Sequence, residues 1–245
     1  MADLSSINES RSPRGRIEAP AKINLHLDVG LSREDGFHSI VSLFSMVDLK
    51  DDITVKVLNH RDGECVIDGP FTFSSEENLI CKAYRAFAEA SGFKRGIHVK
   101  VIKRIPDQGG LGGGSSNAAA VLKLLQVLSN NPLDLSELYK TALKTGSDVP
   151  FFLSGPVSLV EGRGEILTPI DVREDIEKYI VLLIFPPMGV STAEAYGRLD
   201  NLRREDTQKS VGGRGGKLSR EHIISGYLHE DPEDWPFYNS FSRVL

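Results

Sequence analysis

The segment Pro106-Asp107-Gln108-Gly109-Gly110-Leu111-Gly112-Gly113-Gly114-Ser115-Ser116 constrains this chain more than any other, because it joins two stretches of different periodicity. Before it, Ile97, Val99, Val101 and Ile105 alternate with polar residues, the two-residue period of a strand. After it, Ala119, Leu122, Leu125 and Val127 lie around a helix over Ser115–Leu128, and Asn130, Asn131 and Pro132 end the run. A strand, a glycine loop and a helix in that order bring unpaired N–H groups and the positive end of a helix dipole to backbone that carries no Cβ. Phosphate binds at such a place. A tight turn needs only one or two residues at positive φ, whereas five of the six residues 109–114 are glycine. A glycine-rich linker that binds nothing is the competing reading.

Two better-known phosphate loops do not fit. The G-x-x-x-x-G-K-[ST] loop matches at Gly109 and Gly114, but Ser115 stands where lysine is required. The dinucleotide fingerprint, started at Gly110 and Gly112, demands Gly or Ala at Ser115. Any cation that helps hold a phosphate must therefore come from elsewhere. The formal net charge of -5 supplies no broad basic field, so a nucleic-acid partner is not expected and a small anionic ligand must be held locally.

The rest of the chain supplies the frame. Its 245 residues suit one large domain or two small ones. Met1–Arg16 is polar and reads as a tail, with structure starting at Ile17. Ile23, Leu25, Leu27 and Val29 alternate with Lys22, Asn24, His26 and Asp28, which predicts a half-buried strand. The run Ile40–Leu49 and a strand over Asp52–Leu58 follow; Glu76–Ala90 reads as a helix stopped by Gly92, and Asp134–Thr145 as a helix closed by Gly146. Val157–Glu161, Glu165–Ile170 and Tyr179–Phe185 read as strands, and Ser191 with Glu194 has capping-box spacing for a helix to Asp200. Arg203–Glu221, with its charges and four glycines, reads as a flexible loop. The expected divisions are a tail over 1–16, a first domain over 17–164 and a second over 165–245. Two cysteines, Cys65 and Cys81, far from any histidine cluster with ligand spacing, predict neither a disulfide framework nor a zinc site. No run approaches the length of a membrane span and no apolar leader opens the chain, so a cytoplasmic location without membrane association is expected.

Three segments taken together resemble the GHMP kinases: Pro20-Ala21-Lys22-Ile23-Asn24-Leu25, the glycine segment, and Gly146-Ser147-Asp148-Val149-Pro150-Phe151-Phe152. Asp35-Gly36-Phe37-His38, Glu161-Gly162-Arg163-Gly164-Glu165 and Val190-Ser191-Thr192-Ala193-Glu194-Ala195-Tyr196 are similar to one branch, which acts on a cytidine diphosphate-linked polyol in non-mevalonate isoprenoid precursor biosynthesis. The resemblance implies an α+β, two-domain GHMP kinase fold. Its N-terminal domain would be ribosomal-protein-S5-domain-2-like and its C-terminal domain ferredoxin-like. The activity implied is transfer of the γ-phosphoryl group of ATP, with Mg²⁺, to the 2-hydroxyl of the methylerythritol moiety, by a monomer or a homodimer. Alternatives are another small-molecule kinase of the superfamily, acting on homoserine, mevalonate or a sugar, or an inactive nucleotide-binding fragment.

Residue by residue, the resemblance makes Asp148 the general base and Lys22 the group that orients it and stabilises transition-state charge. Without it, Asp148 reads equally well as a turn or cap residue and Lys22 as a solvated strand lysine. Pro106, Asp107, Gln108, Gly109, Gly110, Leu111, Gly112, Gly113, Gly114, Ser115 and Ser116 would line the nucleotide phosphates. Asp107 is unfavourable beside a triphosphate unless it points to solvent or meets Mg²⁺, and Ser115 and Ser116 also suit plain capping. Asn24, on the strand face of Lys22, would reach the polyol. His38 would pair with the cytosine edge, with Phe37 stacking on the base where the family usually has Tyr. Phe185 would close over the base, unless it is a buried strand aromatic, and Thr192 would join the substrate site. The family continues past a segment like Asn239-Ser240-Phe241-Ser242 into a second glycine-rich motif; none follows before Leu245, so an incomplete C-terminal domain is expected.

Overall fold

The structure is a computed structural model that describes residues 12–71, 74, 76–107, 109–185, 192–208 and 218–244. The chain forms two compact units whose segments alternate along the sequence. The first is built from the chain up to Ala21, Asp48–Pro106 and Gly112–Leu153, and the second from Lys22–Val47, Asp107–Leu111 and the chain from Ser154 onward. The units change over at several points along the chain. Strands β1 (Arg14–Ser32) and β2 (His38–Asp62) pair with each other, and each contributes residues to both units. Strand β1 thus begins at Arg14, three residues before Ile17.

In the first unit, β3 (Cys65–Asp68) runs parallel to β4 (Arg95–Ile102), which pairs antiparallel with the C-terminal half of β2, placing Val55 opposite Val99. Three helices join this sheet: α1 (Leu79–Ser91), α2 (Gly113–Leu128) and α3 (Leu135–Thr145), with α1 packed on the other two. Their ends follow local chemistry. The Asn78 side chain accepts from the Ile80 N–H to cap α1, Asp134 accepts from the Glu137 N–H to cap α3, and Gly92 closes α1 at φ 73°. Ile53, Val55, Val57, Ile97 and Val99 are buried with Tyr84, Phe87, Val121, Leu122 and Leu125, each side chain contributing roughly 1.5–3 kcal/mol on leaving water. Gly15 lies against α2 so closely that a Cβ there would stand 2.7 Å from Leu124 Cδ2.

The charged Lys50-Asp51-Asp52 does not interrupt β2, because its carboxylates are paired. Buried Asp51 accepts from the Arg104 and Ile105 N–H groups at 2.7 and 2.9 Å and from Lys103 Nζ at 2.8 Å. Asp52 accepts from Arg16 and Arg104. The run Ile40–Leu49 and the strand Asp52–Leu58 are accordingly one long strand.

In the second unit, the N-terminal half of β2 pairs antiparallel with β5 (Val157–Gly162), with Leu43 opposite Leu159, and β5 pairs with β6 (Ile166–Pro169). Two helices, α5 (Thr192–Gln208) and α6 (Arg220–His229), cover two apolar clusters. Leu43, Val157, Leu159, Ile170, Ile223 and Tyr227 form one; Leu27, Val29 and Leu199 form the other, with Tyr196 and Phe241 against it.

Two expectations change here. Tyr179–Phe185 forms no strand: no strand among the described residues offers it a ladder, and Ile180, Leu182 and Ile184 are 94%, 81% and 81% exposed. The loop over Arg203–Glu221 is in part helical, since α5 runs to Gln208 and α6 begins at Arg220 behind its cap Ser219; residues 209–217 lie outside the described residues. Ser191 of the proposed capping box also lies outside them. Cys65 and Cys81 are free thiols. No described helix is long and apolar enough to cross a membrane.

Candidate active site

The glycine segment ends in α2, whose N-cap is Gly112 at φ 68°, with Gly110 at φ 69° before it. Left-handed backbone at both positions is what glycine tolerates and other residues resist. A glycine cap brings no side-chain acceptor to the first N–H groups of α2. Behind them, the Ser116 hydroxyl and both amide atoms of Asn117 are buried without a hydrogen-bond partner among the described residues. Buried polar atoms without partners are rare, and here they belong to the fourth and fifth residues of a sixteen-residue helix that opens on glycines. A polyphosphate fits the uncapped start of α2, where it would take the N–H groups of the glycine backbone. Asn117 was not singled out from sequence; an amide directly before Ala118-Ala119-Ala120, in an apolar helix, is the signal that could have found it.

Lys103 adds a cation at the same place in the first unit. Its Nζ lies 3.2 Å from where a Gly113 Cβ would stand, and Asp51 holds it. Pro106 and Asp107 are exposed, Gly109 and Gly110 are exposed, and Leu111 is buried. Gln108 lies outside the described residues. Asp148 occupies the turn between α3 and α4 (Phe151–Ser154), half-buried, with the Val149 N–H donating to the Gly146 carbonyl at 3.2 Å beneath it.

The remaining positions belong to the second unit. Lys22 is not a solvated strand lysine: it is 6% exposed, its Nζ donates to Asn24 Oδ1 at 2.6 Å and lies 4.4 Å from the centre of the Phe44 ring. Its N–H donates to the Leu111 carbonyl at 2.9 Å, tying β1 to the glycine segment. Asn24 in turn donates to Ser42 Oγ at 3.0 Å, and Ser42 donates to the His26 carbonyl. The polar face of β1 is therefore organised by hydrogen bonds within the protein. Buried His26 has its pKa pushed below the ordinary value by desolvation, with Asp28 opposing, and its Nε2 has no partner among the described residues.

Phe37 is 56% exposed at the hairpin between β1 and β2, and the Arg163 guanidinium lies 5.1 Å from its ring centre. Next to it, His38 Nε2 meets Asp200 Oδ1 at 2.9 Å, and its ring stacks on Tyr196 with centroids 4.7 Å apart. Phe185 is exposed rather than a buried strand aromatic, and a Cβ on Gly109 would stand 3.4 Å from its ring. Thr192 opens α5, and its side chain lies outside what is described. No group of three or more His, Cys, Asp or Glu side chains that could hold a metal occurs among the described residues.

Residues 78–156 match the family description "GHMP kinases N terminal domain". The chain is 37% identical over 229 residues to the 4-diphosphocytidyl-2-C-methyl-D-erythritol kinase of Treponema pallidum (strain Nichols), covering 94% of this chain and 77% of that protein. To the enzyme of the same name from Thermotoga maritima it is 44% identical over 225 residues, covering 92% and 77%. A crystal structure of 4-(cytidine 5'-diphospho)-2C-methyl-D-erythritol kinase superimposes with a TM-score of 0.71 at 33% identity, over 94% of this chain and 76% of that one. With identity of this order over nearly the whole chain, the α+β fold on the page and its glycine loop, the chain belongs to the 4-diphosphocytidyl-2-C-methyl-D-erythritol kinases of the GHMP kinase superfamily.

Proposed function

We propose that the chain catalyses ATP-dependent phosphorylation of the 2-hydroxyl of 4-diphosphocytidyl-2-C-methyl-D-erythritol. The observation that carries this reading is the start of α2, where left-handed glycine backbone at Gly110 and Gly112 leaves the first N–H groups without a side-chain cap and open to a polyphosphate. ATP would supply the phosphoryl group there, and Mg²⁺ would offset charge on the phosphate oxygens. In the absence of a protein-only metal cluster among the described residues, Mg²⁺ would arrive with the nucleotide.

Phosphoryl transfer asks the protein for position and charge more than for covalent chemistry. Lys22, fixed by Asn24 and by the Phe44 ring, is a pre-ordered ammonium whose charge needs little further restriction when substrate binds. In this reading Lys22 lowers the pKa of the substrate hydroxyl and Asp148 accepts its proton. Asn24 is supported as the polyol contact by its place beside Lys22. Phe37, whose exposed ring can stack on a base, and His38 hold the cytosine, and Phe185 approaches from the glycine segment. Loss of the Tyr hydroxyl at Phe37 removes one hydrogen bond and leaves stacking intact.

The test follows ADP release by the purified chain with ATP, Mg²⁺ and 4-diphosphocytidyl-2-C-methyl-D-erythritol, with homoserine and mevalonate in parallel. Turnover of the cytidine compound alone, inhibited by free cytidine 5'-diphosphate, is the expected result. Turnover of homoserine or mevalonate in its place, or none with any of the three, overturns the proposal.

A further inference from the structure

We infer that Asp200 is a specificity-determining positioning residue, which sets the tautomer of His38 and so lets the site prefer an aminopyrimidine to a ketopyrimidine. The inference rests on the proposed role of His38 at the cytosine edge. Asp200 and Tyr196 are four residues apart on α5, so they share one face of the helix and reach the same ring. The carboxylate oxygen of Asp200 lies 2.9 Å from Nε2, and the phenol ring of Tyr196 stacks on the imidazole at an interplanar angle of 24°. The His38 side chain is only 9% exposed, so it cannot turn freely to exchange its two nitrogens. Tyr196 is itself wedged edge-on against Phe241 at 5.0 Å. Arg203 anchors the helix by donating to the carbonyls of Gly30, at 2.6 Å, and Val29.

A carboxylate only accepts hydrogen bonds, so Nε2 carries a proton opposite Asp200. In the neutral imidazole Nδ1 is then the acceptor. Cytosine offers an exocyclic amino donor at the position where uracil offers a carbonyl acceptor. An accepting Nδ1 therefore pairs with the first and meets the second lone pair to lone pair. Sites built to hydrogen-bond a donor reject analogues lacking it far more strongly than sites that read shape alone. The discrimination thus resides in a residue that touches no substrate atom.

The experiment measures inhibition constants of cytidine 5'-diphosphate and uridine 5'-diphosphate for the full chain and its Asp200→Ala and Asp200→Asn variants. Alongside, nitrogen-15 NMR of the His38 ring reports which nitrogen is protonated. The wild type should prefer the cytidine nucleotide at least about tenfold and show the Nε2–H form. Asp200→Ala should lower that preference about tenfold or more, chiefly by weakening the cytidine nucleotide, and mix the two tautomers. Asp200→Asn keeps an acceptor oxygen and should restore most of the preference. In a His38→Ala background, Asp200→Ala should change the ratio no further. A wild-type chain that binds neither nucleotide, or both equally, refutes the cytidine reading, and the specificity claim with it. A wild type that prefers cytidine but keeps its preference in Asp200→Ala, or shows His38 protonated at Nδ1 alone, overturns the role of Asp200 and leaves the cytidine reading standing.

Discussion

Asp51→Ala should be the most destabilising single change near the phosphate loop. The Asp51 side chain is 0% exposed and holds three donors, the Arg104 and Ile105 N–H groups and the Lys103 ammonium. These donors lie on the stretch that leaves β4 for the glycine segment. Each buried N–H left without its acceptor costs about 1 kcal/mol or more, and an ammonium deprived of a buried partner costs at least as much. Together the loss is about 3–5 kcal/mol, the range for breaking one side of a buried ion pair. Asp51→Asn retains an oxygen for the backbone but sets an amide against Lys103, so it should lose roughly half as much. Equilibrium unfolding in guanidinium chloride, followed by circular dichroism, measures both. A loss below about 1 kcal/mol for Asp51→Ala would refute the reasoning, because water or neighbouring groups would then be satisfying those donors.

Gly112→Ala forces a side chain into φ 68° and should cost about 1–2 kcal/mol of stability, together with at least a tenfold rise in the dissociation constant for ATP by calorimetry. Lys22→Met keeps a side chain of similar length but removes the ammonium that stands 4.4 Å from the Phe44 ring centre, so kcat should fall at least about 100-fold in steady-state assays. Phe37→Ala should raise KM for the cytidine substrate about tenfold or more with kcat nearly unchanged, stacking being worth about 1–3 kcal/mol per base. His26 has a folded pKa below its ordinary value of 6.5, so the unfolded state takes up its proton first as pH falls. Its contribution is complete above the unfolded value and is lost as pH drops from there through the folded one. Urea unfolding of wild type and His26→Gln across this window should show a shallower acid slope for the variant.

What could be read from residue order was local. The ends of α1 and α3 were visible because Gly92 and Gly146 act within their own turns, whereas the caps Asn78 and Asp134 were read as parts of the helices they precede. The glycine segment was visible because backbone conformation and helix polarity are properties of a few neighbouring residues. The burial of Lys22 was not, since Phe44 and Leu111 meet it only through tertiary pairing. The continuity of β2 through Lys50-Asp51-Asp52 was hidden for the same reason: the cations that pair Asp51 and Asp52 lie on distant segments. Tyr179–Phe185 shows the converse failure, where an apolar stretch with strand character finds no partner strand among the described residues. Helix α6 escaped notice because its residues do not segregate cleanly into apolar and polar faces, and only Ile223, Gly226 and Tyr227 are buried. The His38–Asp200 pair spans 162 residues and carries no local signal at all.

The central claim is most directly tested by mass spectrometry of 4-diphosphocytidyl-2-C-methyl-D-erythritol after reaction with ATP, Mg²⁺ and either wild-type chain or Asp148→Asn. The account predicts gain of one phosphoryl group, located on the 2-hydroxyl, with wild type, and a rate lower by about 10²–10⁴-fold with the variant. Unchanged substrate with the wild-type chain would contradict the claimed reaction, and an undiminished rate with Asp148→Asn would contradict the claimed base.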